Sequence, residues 1–209
     1  MSEKRAMTGN MVPSLLKLCE GSADSTGMKR RELVAILPFA MARAEAKYVG
    51  RWRSVETSRG GIGGVFEFDM TGKVRYSSAA LVEAVYQWQG SVLTWNGKAA
   101  GIGWHPDGRM QLNFGNGVIQ DYTRVGAKAE GIVGEWKGMK QMSEVRVPTT
   151  FVFREDGKSL MVVWLKTLVG KLNGNRAVLA GGKGYVVREE GEALAIQADG
   201  GDPYRYVRI

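Results

Sequence analysis

The chain has a single histidine, His105, with Pro106 and Asp107 directly after it. A histidine oriented by a carboxylate is the pairing a general base requires. Here the residues belong to Trp104-His105-Pro106-Asp107-Gly108, whose proline and Asp-Gly mark a tight turn. Side chains that close together in a turn or strand point apart, so Asp107 is badly placed to hold the imidazole. Glu155-Asp156 and Glu189-Glu190 adjoin turn glycines, where solvated acids are expected, and no Asp-x-Asp-x-Asp-Gly calcium loop is present. The runs Gly60-Gly61-Ile62-Gly63-Gly64 and Gly181-Gly182-Lys183-Gly184 lack the Gly-Lys-Ser/Thr ending of a phosphate loop and read as hairpin loops. The one cysteine, Cys19, can form no intramolecular disulfide. With one histidine, the usual ligand sets for zinc, haem and iron–sulfur centres are missing. The expectation is a non-enzymatic protein with no cofactor and no metal.

The net charge of +8 could mark an anionic partner. From Lys47 onward, 22 basic residues stand against 16 acidic ones and are interleaved with them. Without a basic run carrying stacking aromatics, the pattern argues against nucleic acid. Met28-Lys29-Arg30-Arg31 precedes an apolar stretch from Leu33 to Ala42 and then Ala44-Glu45-Ala46. A basic start, a short apolar run and an Ala-x-Ala end make the layout of a signal peptide, and the run is too short to span a bilayer. Residues 1–46 are therefore expected to be an N-terminal extension with a signal peptide at 28–46. The mature chain would be exported, periplasmic or extracellular, with no transmembrane segment.

The elements behind this leader come twice. Tyr48-Val49-Gly50-Arg51-Trp52-Arg53 recurs 84 residues later as Ile132-Val133-Gly134-Glu135-Trp136-Lys137. Phe66-Glu67-Phe68-Asp69-Met70-Thr71-Gly72 recurs as Phe151-Val152-Phe153-Arg154-Glu155-Asp156-Gly157. The glycine of Trp88-Gln89-Gly90 matches that of Leu172-Asn173-Gly174, and Asp121-Tyr122-Thr123-Arg124-Val125 matches Arg205-Tyr206-Val207-Arg208-Ile209. Four anchors in one order at near-constant spacing indicate a duplication. Within each copy, Phe66 and Phe68 alternate with Glu67 as in a half-buried strand, and Thr71-Gly72, Gly90, Asp107-Gly108, Asp156-Gly157 and Glu190-Gly191 supply turns. The propensity of Ala79 to Val85 admits a short helix, with strand resuming in its latter half. Residues 126–131 read as a linker.

The Gly-x-Trp opening, the Phe-x-Phe hairpin and the closing Tyr-x-Arg strand resemble bacterial lipocalin-like domains. That resemblance covers Lys47 to Ile209. It implies an all-β fold of two tandem small antiparallel barrels, residues 47–126 and 131–209, of about 80 residues each and so with small interiors. The alternative is one larger barrel formed by both repeats. The resemblance makes Gly50, Trp52 and Arg124, and Gly134, Trp136 and Arg208, structural motif residues, with Trp52 against Arg124 and Trp136 against Arg208. The expected function is binding of an unknown small apolar or amphipathic molecule, lined by Tyr86, Trp88, Trp95, Trp104 and Phe114 of copy one. The alternative is an envelope or extracellular interaction or inhibitor-like module whose partner is an unknown protein.

Overall fold

The computed structural model describes residues 46–115, 117–126 and 131–209. Among the described residues, a 3-10 turn at Ala46–Tyr48 is followed by fourteen strands, with no α-helix. The first copy contributes β1 (Gly50–Ser54), β2 (Ile62–Phe68), β3 (Lys73–Gln89), β4 (Val92–Trp95), β5 (Lys98–Trp104), β6 (Met110–Asn113) and β7 (Ile119–Arg124). The second contributes β8 (Gly134–Met142), β9 (Val145–Phe153), β10 (Lys158–Asn173), β11 (Arg176–Leu179), β12 (Gly184–Glu190), β13 (Ala193–Ala198) and β14 (Pro203–Arg208). The turn glycines 72, 90, 108, 157 and 191 all have positive φ, which is why the hairpins reverse where the sequence suggests.

Each strand pairs antiparallel with its successor, and β14 returns to β1, closing one sheet into a ring. One further pairing crosses the ring. β3 and β10 run side by side from Lys73 against Lys171 to Val85 against Lys158. This divides the ring into two circuits of hydrogen-bonded neighbours. The first runs in chain order from the later half of β3 through β9 to the earlier half of β10. The second runs from the later half of β10 to β14, then from β1 to the earlier half of β3.

Side-chain alternation on the two long strands feeds both circuits. Along β3, Val74 and Tyr76 belong to the core of the second circuit, while Ala80, Val82, Ala84 and Tyr86 belong to that of the first. All are even-numbered, so one face of an unbroken strand serves both. On β10 the parity changes: Met161 and Val163 enter the first core, Leu168 and Leu172 the second. A β-bulge between Trp164 and Lys166 supplies the extra residue that this shift needs. On the opposite face, Ala79, Leu81, Leu160 and Val162 pack with Val65 as a third cluster. Beside it Arg51 and Glu135, which occupy equivalent positions in the two copies, form an ion pair.

The Trp–Arg pairs are present with exchanged partners. The Arg208 guanidinium lies 4.3 Å from the ring centroid of Trp52, and Arg124 lies 4.3 Å from that of Trp136. Strand register agrees: Trp52 pairs with Arg208 and Trp136 with Arg124. The expected Trp52–Arg124 and Trp136–Arg208 contacts are therefore corrected. Likewise neither 47–126 nor 131–209 closes on itself, because β1 neighbours β2 and β14 while β7 neighbours β6 and β8. The cause is β3, which continues unbroken from one circuit into the other; Ala79–Val85, where propensity admits a short helix before strand resumes, is strand throughout. The Gly-x-Trp glycines gain a reason. A Cβ on Gly50 would collide with the Arg208 guanidinium, and one on Gly134 would stand 2.7 Å from Arg124 Nη1. Their φ values of 130° and 127° also disfavour a side chain.

Candidate functional site

The five aromatic residues singled out in copy one fall into two groups. Tyr86, Trp95 and Phe114 are packed into or against the core of the first circuit. The Tyr86 ring meets Phe153 edge-on at 4.9 Å, and its hydroxyl donates to the Arg154 carbonyl. Trp95 is buried between Phe114 and Phe151, with its indole N–H donating to Ser159 Oγ at 2.9 Å. Trp95 fills the interior, and the half-buried Tyr86 and Phe114 pack against it and its neighbours.

Trp88 and Trp104 are half-exposed at the end of the first circuit closed by Trp136. Trp104 lies 6.4 Å from Trp88 and 5.6 Å from Trp136, so three indoles form a continuous apolar wall. A cleft of about 350 Å³ runs along it, with Arg109, Thr123 and Arg124 on its rim. The Arg124 guanidinium donates to the carbonyls of Gly131 and Val133, and Trp136 Nε1 donates to Ile132 O at 2.7 Å. Copy two has Leu172 where copy one has Trp88, and that leucine is core.

A larger cavity, about 440 Å³, opens at the other end of the second circuit, away from Trp52 and Arg208. Strand alternation builds it. Tyr76 on β3, Tyr185 on β12 and Tyr206 on β14 turn inward at one level, around the Phe66 ring. Their centroids lie 4.8, 5.2 and 5.4 Å from it. Tyr76 and Tyr185 lie nearly parallel, 5.9 Å apart. Tyr204 stands at the rim, and the β1–β2 loop adds Glu56, Thr57 and Ser58. Gly63 and Gly64 on β2 keep the wall thin: a Cβ on Gly64 would come within 2.9 Å of the Tyr206 hydroxyl and of the Tyr76 ring.

Burial holds the Tyr206 phenol well above its ordinary range, with Tyr76 and Tyr185 adding to the effect, and burial raises Tyr185 too. Both therefore stay protonated and can donate as well as accept. Among the described residues none of the hydroxyls of Tyr76, Tyr185, Tyr204 and Tyr206 hydrogen-bonds to another protein group, in contrast to Tyr86 and Tyr122. Sequence reading missed this site. The sequence carried no direct signal for it, since only the fold brings Tyr76 to the other three and so gathers four of the chain's seven tyrosines in one cavity.

His105 occupies the expected turn, its carbonyl accepting from Gly108 N–H. Asp107 turns instead to Arg109, whose side chain holds the carboxyl below its ordinary range. The carboxylate nearest the imidazole is Asp121, 3.5 Å from Nε2 and also bonded to Gln111. Among the described residues no group of three or more His, Cys, Asp and Glu side chains is placed to hold a metal, and no helix is long and apolar enough to cross a membrane. The signal peptide expected at 28–46 and Cys19 lie outside the described residues, apart from the 3-10 turn at its end. No protein-family model, curated protein or solved structure matches the chain.

Proposed function

We propose that this chain is a non-enzymatic binding protein in which the two circuits act as fused lipocalin-like barrels, with one small amphipathic molecule seated in the mouth of the second. The observation that carries this reading is the tyrosine-lined cavity, whose phenol hydroxyls have no partner among the described residues. Its volume of about 440 Å³ falls within the range of about 300–1,000 Å³ usual for small-molecule sites. Phe66 and the tyrosine rings offer an apolar floor, while the hydroxyls supply the few polar contacts that fix a ligand's orientation. The first barrel has no such role in this reading, because Trp95, Phe151 and Phe153 occupy its interior. The leader pattern at 28–46 supports export in this reading, and N-terminal sequencing of secreted material should find a chain beginning near Lys47.

Titration with a neutral anilinonaphthalene probe, N-phenyl-1-naphthylamine, followed by its fluorescence, tests the site. Saturable binding weakened at least fivefold by Tyr185→Ala and unchanged by Trp104→Ala is expected. The reverse pattern would move the site to the tryptophan cleft, and no saturable binding would refute the reading.

A further inference from the structure

Resting on the cavity assignment above, we infer that the ligand is an organic cation, an alkylammonium group held against tyrosine faces beside Glu56. The charge distribution of the lining carries this. Glu56 is the only ionisable carboxylate in it, and no lysine, arginine or histidine is among the described residues there. Although the chain carries a net +8, none of its described basic residues lines this cavity. The rings of Tyr76, Tyr185 and Tyr206 gather around Phe66 and share the lining with Glu56, and an aromatic face attracts a cation most strongly where water is excluded. Tyr206 is buried and Tyr76 and Tyr185 are half-buried, so the rings at the floor are the part of the cavity most shielded from water.

A carboxylate-bearing ligand would meet Glu56 with no cation to offset it. A neutral sugar would stack on the rings equally well, but its hydroxyls are best read by amide or guanidinium forks. The lining has no Asn, Gln or Arg. Glu56 lies on the exposed β1–β2 loop, so the charge stands at the entrance and the aromatic faces below it. An ammonium group entering there would keep its charge near the carboxylate while its alkyl groups displace water from the rings.

The experiment compares two probes of one shape by calorimetry on the full chain: choline, and its neutral carbon isostere 3,3-dimethylbutan-1-ol. The cation is expected to bind about tenfold tighter, a difference of about 1.4 kcal/mol. Glu56→Gln should reduce that preference at least threefold without changing the isostere's affinity. Glu56 is exposed, so this variant folds, and its melting temperature provides the check. Equal binding of the two probes, or a preference unaltered by Glu56→Gln, overturns the inference. So does binding of the anilinonaphthalene probe or of a neutral sugar with neither choline nor its isostere, which would leave the cavity assignment standing. If none of them binds, the cavity assignment falls as well.

Discussion

The exchanged Trp–Arg pairs make a prediction that distinguishes this topology from two self-closing units. Trp52 is buried, its indole N–H donates to Tyr48 O at 2.8 Å, and Arg208 lies over its ring while donating to Val49 O. Arg208 is solvent-exposed, so the cation–π contact should contribute about 0.5–1 kcal/mol. Arg124 is more enclosed, and burial lowers its guanidinium pKa, so its coupling to Trp136 should be larger, about 1–2 kcal/mol. Replacing either tryptophan by alanine would cost about 3–5 kcal/mol, and by leucine less, mostly through the lost ring. The informative quantity is therefore the interaction energy from double-mutant cycles, measured by urea unfolding. Trp52→Leu with Arg208→Ala, and Trp136→Leu with Arg124→Ala, should be non-additive by these amounts. Trp52→Leu with Arg124→Ala should add within about 0.5 kcal/mol, because the two lie in different circuits. Coupling between Trp52 and Arg124, with none between Trp52 and Arg208, would refute the exchanged closure.

Expressed alone, residues 47–126 or 131–209 should give no folded monomer, since each leaves β3 or β10 without its long partner; mixed, they should form a one-to-one complex by analytical ultracentrifugation. A folded monomer of either half would contradict the ring. Gly170→Ala should strongly lower the melting temperature, because a Cβ there overlaps the Val178 carbonyl; an unchanged melt would show that β10 and β11 are not so closely paired. Stability should fall as pH rises above about 10. Tyr122 and Tyr206 keep their protons in the folded state well beyond the ordinary phenol value of 10.0, whereas the unfolded chain releases them. Each would contribute a slope of up to about 1.4 kcal/mol per pH unit until the folded phenol ionises. Urea midpoints between pH 9 and 11 check this, with Tyr122→Phe and Tyr206→Phe flattening the dependence.

Local chemistry was readable directly from the sequence. A glycine that must adopt positive φ marks a hairpin wherever it occurs, so Gly72, Gly90, Gly108, Gly157 and Gly191 announced the reversals without any tertiary information. The Phe66–Phe68 and Phe151–Phe153 alternation likewise fixed inward faces, and both pairs are buried. The duplication itself followed from anchor spacing. Partner choice did not follow, because both copies carry the same closing signals and Trp52 is as complementary to Arg124 as to Arg208. The lining tyrosines were also hidden, because their meeting depends on the β2–β3 hairpin closing against β12 and β14, which come far later in the chain. What decided the exchange is the length of β3: from Lys73 to Gln89 no glycine or proline interrupts it, so the strand continues unbroken past the edge of one circuit into the next. Its hydrogen-bonding edge then requires a partner of equal length. Only β10 of the other copy, with a bulge that restores the inward parity of its side chains, provides one in the folded chain.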